Sequence, residues 1–277
     1  MQQQSTHSDT GCAPLAKPAQ HHIFSGLLNC YRPTTMNHQA LLALALFTVP
    51  FSLASAQEPK SPAIVNAAII PAPRTDNGIL ARQTECIRRA KETKSAPVVF
   101  IGDSITQAWE GEGREVWAQN FAALGALNLG VSGDRTEHVL YRLQQAPLTH
   151  LSPEAIVLLI GTNNLGHGTG NAEQTLAGVQ KVIATLHEQA PDAVLLVCET
   201  FPRGERMNEM RGNIVKINQV LRTQADKQTH VLGFSDGWVR ADGTIAKELM
   251  PDFLHLAKVA YEQWAAALLP EIKAALK

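Results

Sequence analysis

The sequence predicts one α/β domain of the doubly wound type, a parallel sheet with helices on both faces. Three observations predict it. From Pro97 onward, short apolar runs alternate with longer amphipathic ones, the signature of strands linked by crossover helices. Several runs are almost continuously hydrophobic, as strands buried on both faces require. Polar residues directly follow the runs, and the loops after the strands are where open α/β sheets gather their ligands.

Residues 77–94 read as a helix that leads into the first strand, PVVFIG at 97–102. The next runs are ALNLG at 126–130, AIVLLIG at 155–161, AVLLVCE at 193–199 and HVLGF at 230–234. Between the third and fourth, Leu176, Val179, Val182, Ile183 and Leu186 share one helical face. Near the chain end Tyr261, Trp264, Ala265 and Leu268 form another. Asp134, with Glu137 three residues on, predicts a capping box ahead of HVLYRLQQ. Each strand-to-strand step is expected to be a right-handed crossover. There is no internal repeat, and one domain over residues 77–277 accounts for the pattern.

The chain has 277 residues, 45% hydrophobic and 18% charged, with a net charge of −1. That is an ordinary globular composition with enough apolar material for a core. It gives no electrostatic case for nucleic acid or an anionic membrane surface; the expected partner is a small molecule. Residues 1–35 are polar and show no helical or strand period, so they are expected to be disordered or untranslated. Met36 opens MNHQALLALALFTVPFSLASAQ, whose apolar stretch from Leu41 to Leu53 is shorter than the ~20 residues of a membrane span. It ends in Ala54-Ser55-Ala56, a small-x-small cleavage pattern, so residues 36–56 read as a signal peptide and the protein as exported, periplasmic or extracellular. The competing reading is an uncleaved anchor. Residues 57–76, with Pro59, Pro62, Pro71 and Pro73, read as an extended arm.

Removal of residues 1–56 leaves Cys86, in a helical pattern, and Cys198, in an apolar run. A disulfide and two buried free thiols both remain open. The histidines are scattered and no Cys/His cluster has metal spacing, so no metal is expected.

The loops after the runs supply a specific inventory. Gly102-Asp103-Ser104 follows the first and Gly130-Val131-Ser132-Gly133-Asp134 the second. Gly161-Thr162-Asn163-Asn164 follows the third, and Pro251-Asp252-Phe253-Leu254-His255 lies near the chain end. A serine hydroxyl attacks well only when a neutral imidazole takes its proton and a carboxylate holds that imidazole in the right tautomer. Ser104, His255 and Asp252 fit those roles. The oxyanion formed on attack needs donors fixed beforehand, and the N–H of Ser104, the N–H of Gly133 and the side-chain amide of Asn163 could supply them. Each has a plainer reading: Asp103 or Ser104 as a helix cap, Gly133 as a tight turn, Asn163 and Asn164 as turn residues, Asp252 as a cap, His255 as an ordinary histidine. Their joint placement, each in a loop, favours acyl transfer. A reading of another class is a noncatalytic anion- or glycan-binding module, supported by GHGTG at 166–170 and by Arg203 with Arg206. His167, just after the Asn163 loop, reads as either pocket lining or plain surface.

FIGDSIT, NLGVSGD, IGTNN and DFLH together resemble the four blocks of the SGNH, or GDSL, hydrolase superfamily, whose Ser, Gly, Asn and His match Ser104, Gly133, Asn163 and His255. ALNLGVSGDRTEHVLYRLQ, FPRGERMNEMRGNIVKINQVLR and DFLHLAKVAYEQW further resemble platelet-activating-factor acetylhydrolase catalytic subunits, over roughly residues 95–275. The resemblance implies a flavodoxin-like three-layer α/β/α domain with a five-stranded parallel sheet, no metal or organic cofactor, and hydrolysis of short-acyl, often acetyl, esters. It also implies a possible homodimer. Because those subunits are intracellular and this chain reads as exported, the expected substrate is an acetylated glycan or a similar extracellular ester, with a phospholipid-type ester as the alternative.

Overall fold

The five apolar runs form five parallel strands in the computed structural model, which describes residues 65–276. They are β1 (Val98–Gly102), β2 (Ala126–Gly130), β3 (Ala155–Leu159), β4 (Val194–Cys198) and β5 (Thr229–Leu232). The sheet order is β2-β1-β3-β4-β5, so the chain reverses its direction of travel across the sheet between β1 and β3. That reversal opens a crevice at the carboxyl ends of those two strands. Gly102 is level with Gly130 on one side and Leu159 on the other, and the loops after β1, β2 and β3 therefore leave the sheet at one height.

Among the described residues eight α-helices accompany the strands: α1 (Asn77–Glu92), α2 (Ser104–Gln107), α3 (Arg114–Asn120), α4 (Thr136–Gln145), α5 (Thr162–Gly166), α6 (Ala172–Gln189), α7 (Glu209–Arg222) and α8 (Lys258–Ala275). Successive strand residues point to opposite faces, which splits the core in two. Val99, Ile101, Ile156, Leu158, Leu195 and Val197 pack under α1, α4, α6 and α7. Val98, Phe100, Val157, Leu159, Leu196 and Cys198 pack under α3 and α8. The architecture is the expected three-layer α/β/α sandwich.

The second layer is aromatic. Trp109 meets Tyr261 with ring centroids 4.6 Å apart and Phe121 at 5.3 Å, both edge-to-face, a favoured geometry for buried rings. The Tyr261 hydroxyl donates to the Ile105 carbonyl at 2.7 Å, tying α8 to the short helix that begins at Ser104. In the first layer α6 starts at a reciprocal cap: Asn171 accepts from the Gln174 N–H at 2.9 Å, and the Gln174 side chain accepts from the Asn171 N–H at 3.1 Å.

The cap of α4 differs from the predicted one. Arg135 is the N-cap residue, and its N–H donates to His138 Nδ1 at 3.0 Å. Asp134 instead turns inward, fully buried, and accepts from Arg142 Nε at 2.9 Å. Glu137 accepts from Asn164 at 3.0 Å. A buried guanidinium two turns along α4 thus outcompetes the local cap for the Asp134 carboxylate.

In residues 65–76 of the predicted arm a 3₁₀ turn at Ala67–Ile69 packs against α4 and α6. Thr136 Oγ1 donates to the Ala68 carbonyl at 2.8 Å, and the Ala72 N–H donates to the Glu137 carbonyl at 3.1 Å. Cys86 and Cys198 are buried free thiols, one in each layer of the core. The predicted signal peptide at 36–56 and the segment 1–35 lie outside the described residues. Among those described, no helix is long and apolar enough to cross a membrane.

Candidate active site

At the end of β1 both readings of the Asp103-Ser104 pair have a place. Asp103 caps α2, its Oδ1 accepting from the Ile105 N–H at 3.0 Å. Ser104 is then the first helical residue, and its Oγ lies 3.0 Å from His255 Nε2.

His255 arrives from a turn ahead of α8. Asp252 Oδ1 accepts from the N–H groups of Leu254 at 3.0 Å and His255 at 2.7 Å, an Asx-type turn. Phe253 inside it has φ 59°, a left-handed conformation uncommon for a side chain of that size. The turn brings Asp252 Oδ2 to 2.7 Å from His255 Nδ1. Burial raises the pKa of Asp252, but hydrogen bonds from the His255 ring and from the His255 and Leu254 N–H groups outweigh it and hold the carboxyl below its ordinary range. The result is a carboxylate–imidazole–hydroxyl line with the geometry that makes serine nucleophilic.

The other two loops meet beside this line. The Asn163 side-chain amide donates to the Asp134 carbonyl at 3.0 Å and, over a longer 3.4 Å, to Asp103 Oδ2. These bonds join the loops after β1, β2 and β3. Gly133, immediately before Asp134, has φ +70°, and a Cβ there would lie 2.9 Å from Arg74 Nη1. Glycine is needed both for the left-handed conformation and for the close approach of the arginine. Asn164, fully buried, braces the assembly: its Oδ1 accepts from the Thr136 N–H at 3.1 Å, and its Nδ2 donates to Thr136 Oγ1 at 3.1 Å and to Glu137.

Asp103 is the most strongly perturbed carboxyl of the group. Burial is the main cause and the neighbouring Asp134 charge adds to it, against the Ile105 hydrogen bond and nearby positive charges, so its pKa is pushed up to about 7.

All five predicted site residues lie in this rim. His255 is in direct contact with both Ser104 and Asp252, while Gly133 and Asn163 are linked through Asp134. Sequence reasoning missed Arg74, which donates to the Ser132 carbonyl at 3.0 Å and lies 3.5 Å from Asp134 Oδ1. No local pattern in the arm signals it. His167 is exposed, 3.4 Å from Arg135 Nη1. Among the described residues no group of three or more His, Cys, Asp or Glu is arranged to hold a metal.

Comparison with known proteins follows the same residues. The model of the GDSL-like Lipase/Acylhydrolase family matches residues 100–263, a span that contains all four loops. The chain belongs to this family. Over 177 residues it is 37% identical to platelet-activating factor acetylhydrolase IB subunit alpha1 of Pongo abelii, covering 63% of this chain and 74% of that one. The fold of this GDSL-family protein is similar to that of a GDSL-like lipase from Bacteroides thetaiotaomicron, with TM-score 0.56, 18% identity, and 71% and 97% of the two chains covered. It is also similar to that of Axe2, an acetylxylan esterase from Geobacillus stearothermophilus, with TM-score 0.52, 16% identity, and 65% and 96% covered. The GDSL-family protein is a carboxylic ester hydrolase.

Proposed function

We propose that this esterase removes short acyl groups, acetyl above all, using Ser104 as nucleophile, His255 as general base and acid, and Asp252 to orient the imidazole. The observation that carries the reading is the unbroken line from Asp252 Oδ2 through His255 to Ser104 Oγ, with contacts of 2.7 and 3.0 Å. His255 Nε2 takes the hydroxyl proton as Oγ bonds to the carbonyl carbon. The carbonyl oxygen becomes an oxyanion, received by the N–H groups of Ser104 and Gly133 and the amide of Asn163. Collapse breaks the bond to the alcohol oxygen, which leaves with the proton from His255. Water then attacks the acyl-enzyme with His255 again as base, releasing the acid and restoring Ser104.

An acetyl preference is supported by the names of the relatives, an acetylhydrolase subunit and an acetylxylan esterase. His255 and Asp252 are both exposed, which suits a bulky alcohol held outside the protein, and we take an acetylated carbohydrate as that alcohol. The reading of residues 36–56 as a signal peptide extends the proposal to an exported enzyme. The second reading, an acetylated phospholipid, rests on the 37% identity to the acetylhydrolase subunit. Acetate, butyrate and octanoate esters of p-nitrophenol, run beside acetylated xylan and an acetyl glycerophospholipid, test the proposal. Turnover falling steeply beyond acetyl, with acetate released from the glycan, is expected. Equal turnover of octanoate and acetate contradicts the acyl preference, and release from the lipid alone contradicts the carbohydrate.

A further inference from the structure

Arg203 lies five residues beyond the end of β4, in a segment anchored on three sides. Arg211, itself buried, donates to the Arg203 carbonyl at 3.2 Å and also to the Gly204 and Gly243 carbonyls. The Gly204 N–H donates to the Phe253 carbonyl at 2.8 Å, joining this segment to the turn that carries Asp252 and His255. The guanidinium reaches the opposite way, and its Nη1 donates to both the carbonyl and Oγ1 of Thr162 at 3.1 Å. Thr162 immediately precedes Asn163. Arg203 therefore spans the gap between the oxyanion loop and the acid–base turn.

Its charge is not consumed by this anchoring. A guanidinium carries five N–H donors, yet among the described residues only Nη1 of Arg203 bonds to an acceptor, and the carboxylates of Asp103 and Asp252 act on it from beyond ion-pair distance. Arg74, Arg82, Arg135, Arg142 and Arg222 all pair with Asp or Glu. Room has been made for it as well, since a Cβ on Gly166 would lie 2.5 Å from Nη1. On the same rim His167 and Arg135 are 3.4 Å apart. Partial desolvation of the ring, and after it the positive charges of Arg135, Arg74 and Arg203 against the opposing charge of Glu137, hold the His167 pKa below its ordinary range.

We propose that Arg203 is a specificity-determining residue that binds an anionic group, carboxylate or phosphate, on the alcohol portion of the substrate. The inference rests on the esterase reading, because a short acyl group carries no such charge and the anion must sit on the leaving alcohol. A fixed, half-buried guanidinium with free N–H groups suits such an oxyanion group, since planar donors pair with carboxylate and phosphate in parallel bonds. It also absorbs two features that the sequence offered separately, the glycine-rich segment at 166–170 and Arg203.

The test is acetate release from two matched pairs. One is O-acetylated methyl glucuronoside against its neutral uronamide, and the other acetylglycerol phosphate against acetylglycerol. The wild-type enzyme is expected to favour the anionic member of at least one pair in kcat/KM, and the preferred pair identifies the source of the charge. Arg203→Met is expected to remove roughly ten- to hundredfold of that preference, the range of a hydrogen bond to a charged group, and Arg203→Lys to restore part of it. Loss of its Thr162 bonds lowers both members of a pair alike, so the ratio isolates recognition from positioning. Ratios near one in the wild type, or a ratio unchanged in Arg203→Met, overturn the proposal while p-nitrophenyl acetate turnover keeps the esterase reading intact. No turnover of any ester overturns both.

Discussion

Arg74 holds the carbonyl of Ser132 at 3.0 Å from a segment that precedes the family-matched residues. The same side chain pairs with Asp76 at 2.7 Å and reaches Asp134, so the arm grips the loop that presents Gly133. An oxyanion donor is effective only when it is fixed before the charge develops. Arg74→Ala is expected to lower kcat about tenfold, equivalent to ~1.4 kcal/mol in the barrier, with KM little changed. Arg74→Lys should recover part of the loss. Steady-state kinetics on p-nitrophenyl acetate checks this, and an unchanged kcat removes Arg74 from any positioning role.

Asn163 is fixed to the Asp134 carbonyl at 3.0 Å, and its longer 3.4 Å contact with Asp103 leaves the second amide hydrogen the more available one. Asn163→Ala is expected to cost roughly 10²–10³ in kcat, about 2.7–4 kcal/mol, as for a side-chain oxyanion donor. The circular-dichroism spectrum should not change. A loss below about threefold contradicts the assignment.

Asp103 makes a prediction about stability. Its folded pKa of about 7 stands above the ordinary 3.8, so between those values the folded state binds more protons than the unfolded one. The contribution is therefore fully present below the unfolded pKa and is lost as pH rises toward 7. Three pKa units correspond to roughly 4 kcal/mol, and Asp103→Asn removes this dependence while keeping an oxygen for the Ile105 N–H. Urea unfolding at pH 4, 6 and 8 should show the variant gaining on the wild type as pH rises. A constant difference across that range rules out the buried titration.

The fold was legible because its information is local. Continuous apolar runs, helical spacing and turn residues placed all five strands to within a few residues, and the loops after β1, β2 and β3 showed their polar groups directly. Asp134 was misread for an instructive reason: an Asp with a Glu three residues on is a valid cap locally, but Arg142 competes for it only once α4 lies on the sheet. Arg74 was invisible because its bond to Ser132 joins residues 58 apart in sequence. The left-handed Phe253 was equally hidden, since nothing in DFLH announces a positive φ.

The central claim is that the hydroxyl of Ser104 is activated by His255. It is tested most directly by treating the wild type, Ser104→Ala and His255→Ala with a fluorophosphonate, and reading the site and rate of labelling by peptide mass spectrometry. The account predicts rapid labelling of Ser104 in the wild type, none in Ser104→Ala and severely slowed labelling in His255→Ala. Labelling of another residue, or wild-type rates without the imidazole, would contradict it.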